Sequence, residues 1–225
     1  MTETLLRQLD QESLIRERIK NARSVTVEFG TGSSPMLMAD KNYTGKEDLY
    51  IGVNIDPTQH VYLEDRLPQA DGVAVLCSKP ISAETPLVVP IPDDCADLAF
   101  MGNVLGEPDS DSIMFEFKGA DQKYHGNTND DIKEQTLKEA GRILGPKGRL
   151  IVLETYTPKN QGEAIAMLEA ANFRIISVVN TKSEDWGDIA AYFSMYYDSG
   201  STTLGSYIII AEKSQTVTLS DQGIS

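Results

Sequence analysis

The segment Glu28-Phe29-Gly30-Thr31-Gly32, which follows the β-branched run 25–27, combines residues that could hold a ligand. Two glycines separated by one residue allow a tight turn and let a ligand approach the backbone where a Cβ would clash. Free amides at the start of a following helix favour polar ligand groups, and Glu28 adds an acceptor for a positively charged group. The segment therefore predicts a ligand-binding turn, with an ordinary strand-to-helix turn as the alternative.

His125 and its neighbour Tyr124 form a second candidate group. The unperturbed pKa of a histidine side chain lies near neutrality, so His125 could accept a proton as a general base. We therefore predict His125 and Tyr124 as catalytic residues, although an exposed loop histidine would give the same sequence. Cys77 and Cys95 are isolated from each other and from a histidine cluster, so we expect no metal site.

Short β-rich runs separated by turns or helical segments must position these residues. An amphipathic helix is predicted over 3–22, a second helix over 129–144, ending at Gly145-Pro146, and a third over 161–171. Strands that alternate with helices are typical of a mostly parallel sheet covered on both faces. Seven strands are predicted, at 24–29, 49–55, 73–77, 97–101, 149–155, 174–180 and 207–213.

The fold class that follows is α/β. We predict a single Rossmann-like, doubly wound domain with a seven-stranded, mostly parallel sheet whose last strand is antiparallel. A chain of 225 residues fits one such domain. We divide it into an N-terminal amphipathic helix at 1–22, the domain itself at 23–213 and a polar tail at 214–225 that we expect to be disordered.

Acidic residues dominate the middle of the chain. The formal net charge is −14, and residues 40–131 hold 18 acidic against 6 basic side chains. A phosphate backbone would be repelled there, so we expect no nucleic-acid partner. No apolar run approaches the roughly 18 residues of a membrane span. Together with the isolated cysteines, this predicts a cytoplasmic protein that does not bind a membrane.

From residue 22 to 213 the wider pattern resembles the class I methyltransferases that use S-adenosylmethionine. The first strand of that family ends in Asp/Glu-x-Gly-x-Gly, which Glu28, Gly30 and Gly32 match. Three further segments are similar to the family's second strand, its fourth strand and its fifth strand with the preceding helix: Gly52-Val53-Asn54-Ile55-Asp56-Pro57, residues 90–105 and residues 137–152. The four segments occur in the family's order, which favours the resemblance over chance.

The resemblance implies S-adenosylmethionine as the cofactor and methyl transfer to a small-molecule acceptor, without a metal. Asn54 departs from the family, which usually has a carboxylate there, so Asp56 could share its role. The implied cofactor-binding residues are Glu28, Gly30, Thr31 and Gly32 at the methionine part, Asn54 and Asp56 at the ribose, Asp94 at the adenine and Asn103 beside the sulfonium.

Two other functions remain open. A non-catalytic protein of the same fold, serving as a binding or partner subunit, is favoured by Asn54 and by the unusual segment 77–86 after the third strand. An NAD-dependent oxidoreductase would need a third glycine where Pro35 stands, which disfavours it. The aromatic-rich segment 183–204 could be a substrate lid, a homodimer contact or part of the core.

Overall fold

A computed structural model describes residues 13–31, 48–54, 73–77, 88–102, 104–105, 129–154, 161–181 and 206–214. The helices are α1 at 13–21, α2 at Asn129–Ile143 and α3 at Gln161–Ala170. The strands are β1 at Ser24–Phe29, β2 at Asp48–Asn54, β3 at Val73–Cys77, β4 at Ala96–Gly102, β5 at Leu144–Glu154, β6 at Phe173–Thr181 and β7 at Ser206–Lys213. None of these helices is long and apolar enough to cross a membrane.

The described strands form one mixed sheet in the order β3-β2-β1-β4-β5-β7-β6. Strands β1 to β5 are parallel to one another, whereas β7 is antiparallel to both β5 and β6. The predicted α/β class and mixed sheet are therefore confirmed. The order reverses between β1 and β4, and ligands of open α/β sheets bind outside the carboxyl ends of the strands at such a switch point.

The central strands β1 and β2 are almost wholly buried on both faces, as is typical of strands within a parallel sheet, whereas β6 exposes Ile176, Val178 and Val179. The larger core cluster packs α2, through Leu137 and Ile143, and α3, through Leu168, against one face. Phe100, Leu153 and Ile208 form a second cluster. Phe100 lies between two β4 residues of the larger cluster, and successive strand side chains alternate in direction, so the second cluster lies on the opposite face.

An arginine clamp ties the C-terminal end of α2 to the segment that leads into β4. The Arg142 guanidinium donates to the carbonyl oxygens of Ile91 at 3.0 Å and Val89 at 2.8 Å, and it also pairs with Asp93 and Glu139. Glu139 in turn accepts from the Val89 amide. This network lies at the amino edge of the sheet, opposite to the switch-point edge.

The start of β5 differs from the prediction. We expected the helix to run to Leu144 and the strand to begin at 149, but Leu144 already pairs with Ala96. The pairing then shifts register between Ala96 and Leu98. Gly148 permits this irregular pairing, because a Cβ there would lie 2.8 Å from the Ala96 carbonyl oxygen. The Gly145-Pro146 stop signal was correct, since α2 ends just before it.

Candidate functional site

The carboxyl ends of β1 and β4 meet at the switch point. Phe29 of β1 is paired with Met101 of β4, and the next residue in each chain segment, Gly30 or Gly102, is a glycine at this edge. Gly30 has a φ of +69°, in the left-handed region that favours glycine. Its amide donates to the Val53 carbonyl oxygen at 3.0 Å, which ties the turn to the end of β2.

The side-chain space of Gly30 is already filled by the loop after β4. A Cβ at position 30 would lie 2.8 Å from Cγ2 of Val104. We expected the missing side chain of Gly30 to leave room for a ligand, but in the structure this space is taken by the Val104 side chain. Gly30 allows the loop at 104–105 to pack directly on the turn.

Glu28 is 2% exposed, and its Oε2 accepts a hydrogen bond at 2.8 Å from the hydroxyl of Tyr50, a residue with no exposed area. Tyr50 reaches Glu28 by lying along β2, past Gly52. A Cβ at Gly52 would lie 3.3 Å from the Tyr50 hydroxyl and 3.2 Å from Cγ2 of Thr31. The absent side chain at 52 thus makes room for both neighbours.

Thr31 follows the turn and is 3% exposed. Its hydroxyl oxygen is buried and has no hydrogen-bond partner among the described residues. An unsatisfied buried hydroxyl costs about 1 to 3 kcal/mol, so its presence beside Glu28 and Gly30 calls for an explanation. A bound polar ligand is one.

A second buried acid lies across the edge on β5. Glu154 has no exposed area, and its Oε1 accepts from the amides of Val104 at 3.0 Å and Leu105 at 2.8 Å. Tyr207 of β7 is its cross-strand partner and is 1% exposed. Burial raises the pKa of the Tyr207 phenol, as do the charges of Glu154 and Glu163, so the hydroxyl stays protonated.

The structure brings three of the predicted cofactor residues together, namely Glu28, Gly30 and Thr31. Asn54 ends β2 at the same edge, where its backbone pairs with Cys77. The other predicted residues at this edge, and both predicted catalytic residues, lie outside the described part of the chain: Gly32, Asp56, Asn103, Tyr124 and His125.

The structure places Asp94, the residue predicted at the adenine, at the edge of the sheet away from the switch point. Asp94 precedes β4 and so lies at the amino edge, where its side chain accepts from Lys213 Nζ at 2.7 Å. The length of β4 from Ala96 to Gly102, six steps of about 3.3 Å, separates it from the switch point by roughly 20 Å. Its φ of 52° lies in the left-handed region, within the turn that leads into β4.

Sequence reasoning missed four residues of this edge: Tyr50, Val104, Glu154 and Tyr207. A signal existed for Glu154, which interrupts apolar β5 with a charge at the carboxyl end of a predicted strand. Tyr50 and Tyr207 read as ordinary strand aromatics. Their hydrogen bonds and charges depend on residues that only the folded sheet brings near.

No protein-family model matches the sequence, and no curated protein does. Several solved structures do match the fold of this chain. A SAM-dependent methyltransferase from Aquifex aeolicus matches with a TM-score of 0.54 and 16% identity, over 90% of this chain and 88% of that one. The chain has the class I methyltransferase fold.

Two further structures with the methyltransferase fold differ in what they act on. Geranyl diphosphate C-methyltransferase from Streptomyces coelicolor, solved with S-adenosyl-L-homocysteine, matches with a TM-score of 0.51 and 15% identity, over 92% of this chain and 77% of that one. The 16S rRNA methyltransferase KamB matches with a TM-score of 0.58 and 9% identity, over 89% and 93% of the two chains. At these identities the likeness concerns the fold alone.

Proposed function

We propose that this chain is an S-adenosylmethionine-dependent methyltransferase. The observation that carries the proposal is the polar lining of the switch point, where the buried Glu28 carboxyl flanks the Gly30 turn together with the Thr31 hydroxyl, which has no hydrogen-bond partner among the described residues. A ligand with an ammonium group and hydrogen-bonding hydroxyls suits such a lining. The geranyl diphosphate enzyme, which shares the fold, was solved with the demethylated cofactor, and this supports the choice of ligand.

When bound, S-adenosylmethionine supplies a methyl group on a sulfonium, which an acceptor atom attacks in line. The chain's own task is then to hold the two reactants in line and, for a protonated acceptor, to remove a proton. Glu28, Thr31 and Gly32 would hold the methionine part, and Asn54 with Asp56 the ribose. Asn103 would border the sulfonium, and His125 with Tyr124 would serve the acceptor proton.

A small molecule is the proposed acceptor. The acidic stretch 40–131 would repel a phosphate backbone, which supports this choice over nucleic acid. The KamB structure, with an rRNA methyltransferase activity on the same fold, is the reason to test the choice directly. A methyl-transfer assay that compares total small metabolites with total RNA as acceptors separates the two.

Calorimetric titration of the full chain with S-adenosylhomocysteine tests the cofactor, and Thr31→Val sharpens the test. Valine keeps the shape of the side chain and removes the unsatisfied hydroxyl, so the free protein should keep or raise its Tm. The affinity for S-adenosylhomocysteine should fall by about threefold to tenfold, the value of one ordinary hydrogen bond.

Thr136→Val is the matched control, because Thr136 is also buried, at 4% exposure, but belongs to α2. It should leave the affinity unchanged. Absence of heat with excess S-adenosylhomocysteine in the wild-type chain would refute the methyltransferase proposal. Equal affinity in the Thr31→Val variant would remove Thr31 from the site but leave the cofactor.

A further inference from the structure

Glu154 is a charged residue that directly follows the apolar run 150–153 of β5. It ends β5, in which Leu150, Val152 and Leu153 are all buried. A buried carboxyl group is costly unless it is hydrogen-bonded, so a glutamate here needs a role that an apolar residue could not fill. Positions that break the local pattern are often functional ones.

The role visible in the structure is to hold the loop after β4. A single carboxyl oxygen of Glu154 accepts from two successive backbone amides, those of Val104 and Leu105, at 3.0 and 2.8 Å. Leu105 is 4% exposed, so its amide has little access to water as an alternative partner. Bonds from backbone N–H groups to a carboxylate are among the stronger hydrogen bonds in proteins.

The same loop touches the Gly30 turn. Val104 Cγ2 occupies the space where a Cβ of residue 30 would be, at 2.8 Å from that position. Glu154 on β5, the loop at 104–105 and the turn after β1 therefore form one continuous contact across three neighbouring strands. The segment between Gly102 and Val104 contains Asn103, the residue proposed to border the sulfonium.

We infer that Glu154 is a positioning residue that fixes the loop after β4 against the Gly30 turn and thereby sets the geometry of the cofactor site. Glu154 does not touch the cofactor in this role; it acts through the two amides. Tyr207 stands opposite Glu154 in the β5–β7 pair and shields that side from water. The inference rests on the proposed function for its ligand, but the anchoring of the loop can be measured without one.

Two variants separate anchoring from general stability. Glu154→Ala removes the acceptor, and amide hydrogen exchange at Val104 and Leu105 should then accelerate by tenfold or more. The affinity for S-adenosylhomocysteine should fall by about tenfold. Glu154→Gln retains an oxygen acceptor at the same place, so it should restore most of the protection and most of the affinity, because a neutral bond is weaker but not lost.

Glu139→Ala is the matched control. Glu139 is also buried and also accepts from a backbone amide, that of Val89, but it lies at the amino edge of the sheet. Its loss should lower the Tm while leaving both the affinity and the exchange of the Val104 and Leu105 amides unchanged. If Glu154→Ala and Glu139→Ala both lowered the affinity for S-adenosylhomocysteine, the cause would be general destabilisation, and the inference would be overturned.

Unchanged exchange at Val104 and Leu105 in a folded Glu154→Ala variant would refute the anchor itself. Accelerated exchange with wild-type affinity would refute its link to the cofactor site. If the wild-type chain does not bind S-adenosylhomocysteine at all, the proposed function fails first, and the wild-type titration alone reveals it. If the alanine variant does not fold, the glutamine variant and the exchange measurement decide between the outcomes.

Discussion

The hydrogen bond between Tyr50 and Glu28 offers a sharp test of the packing beneath the candidate site. In Tyr50→Phe the ring stays in place and only the hydroxyl is lost, so the variant isolates the 2.8 Å bond to Glu28 Oε2. Both side chains are almost fully buried, which means that water cannot easily replace the lost donor. The variant should therefore be less stable than the wild type.

The size of the effect follows from the burial. Removal of one partner from a buried hydrogen bond costs about 1 to 3 kcal/mol, so we expect a loss of about 2 kcal/mol in the free energy of unfolding. In a chain of 225 residues, 1 kcal/mol shifts the Tm by about 2 to 4 °C. The expected fall in Tm is therefore about 4 to 8 °C.

Tyr207→Phe is the control for this measurement. Tyr207 is as deeply buried as Tyr50, but its hydroxyl has no hydrogen-bond partner among the described residues. Its removal should leave the Tm unchanged or slightly higher. Glu28→Leu removes the acceptor oxygen, which glutamine would retain. Urea unfolding of Tyr50→Phe, of Glu28→Leu and of the double variant gives the coupling energy, which we expect to lie between about 0.5 and 3 kcal/mol. Equal Tm values for Tyr50→Phe and Tyr207→Phe would refute the reasoning.

Two further predictions concern the amino edge. Arg142→Met should lower the free energy of unfolding by about 3 kcal/mol, because the buried Glu139 carboxyl loses its cation. Lys138→Met is the control: it breaks an exposed pair with Glu134 and should lower the free energy of unfolding by less than about 1 kcal/mol. Equal effects of the two variants in thermal unfolding would contradict this. Burial raises the pKa of the Cys95 thiol to about 11, so alkylation by iodoacetamide at pH 8 should be on the order of a hundredfold slower than for free cysteine and should rise about tenfold per pH unit. Mass spectrometry that separates Cys95 from Cys77 measures this rate, and a rate equal to that of free cysteine would be the contrary result.

Strand β1 could be predicted from the sequence because local signals mark it. Its β-branched residues Val25, Thr26 and Val27 favour a strand, and Gly30 follows directly after its last residue. The predicted bounds of β1 and β3 agree with the structure. Both strands end where a glycine or a polar residue follows.

The placement of Asp94 differs from what the motif led us to expect. The segment 90–105 matches one motif of the family, but its first part lies before β4 and its last part after it. In a parallel strand these two parts are at opposite edges of the sheet, so they cannot border the same ligand. Chain direction alone would have separated Asp94 from Asn103.

The contacts of Glu154 could not be predicted in the same way. Its hydrogen bonds join residues 50 and 49 positions apart in the chain, and they depend on β4 and β5 lying side by side in register. No local pattern encodes which loop a carboxyl group at the end of a strand will hold. The same is true of Val104. Its side chain fills the space beside Gly30, so this glycine allows close packing where the sequence had led us to expect a ligand.

Three buried glutamates also change the weight of the net charge as an argument. Glu28, Glu139 and Glu154 all contribute to the formal −14, yet each is at most 4% exposed and accepts a hydrogen bond within the protein. The charge of the whole chain therefore overstates what a partner at the surface would meet, although none of the three glutamates belongs to the acidic stretch 40–131. In the proposed function an acceptor would approach the carboxyl edge, so the potential that it would meet depends on the loops around that edge and not on the charge of the whole chain. The methyl-transfer assay that compares RNA with small molecules as acceptors would test the potential at this edge directly.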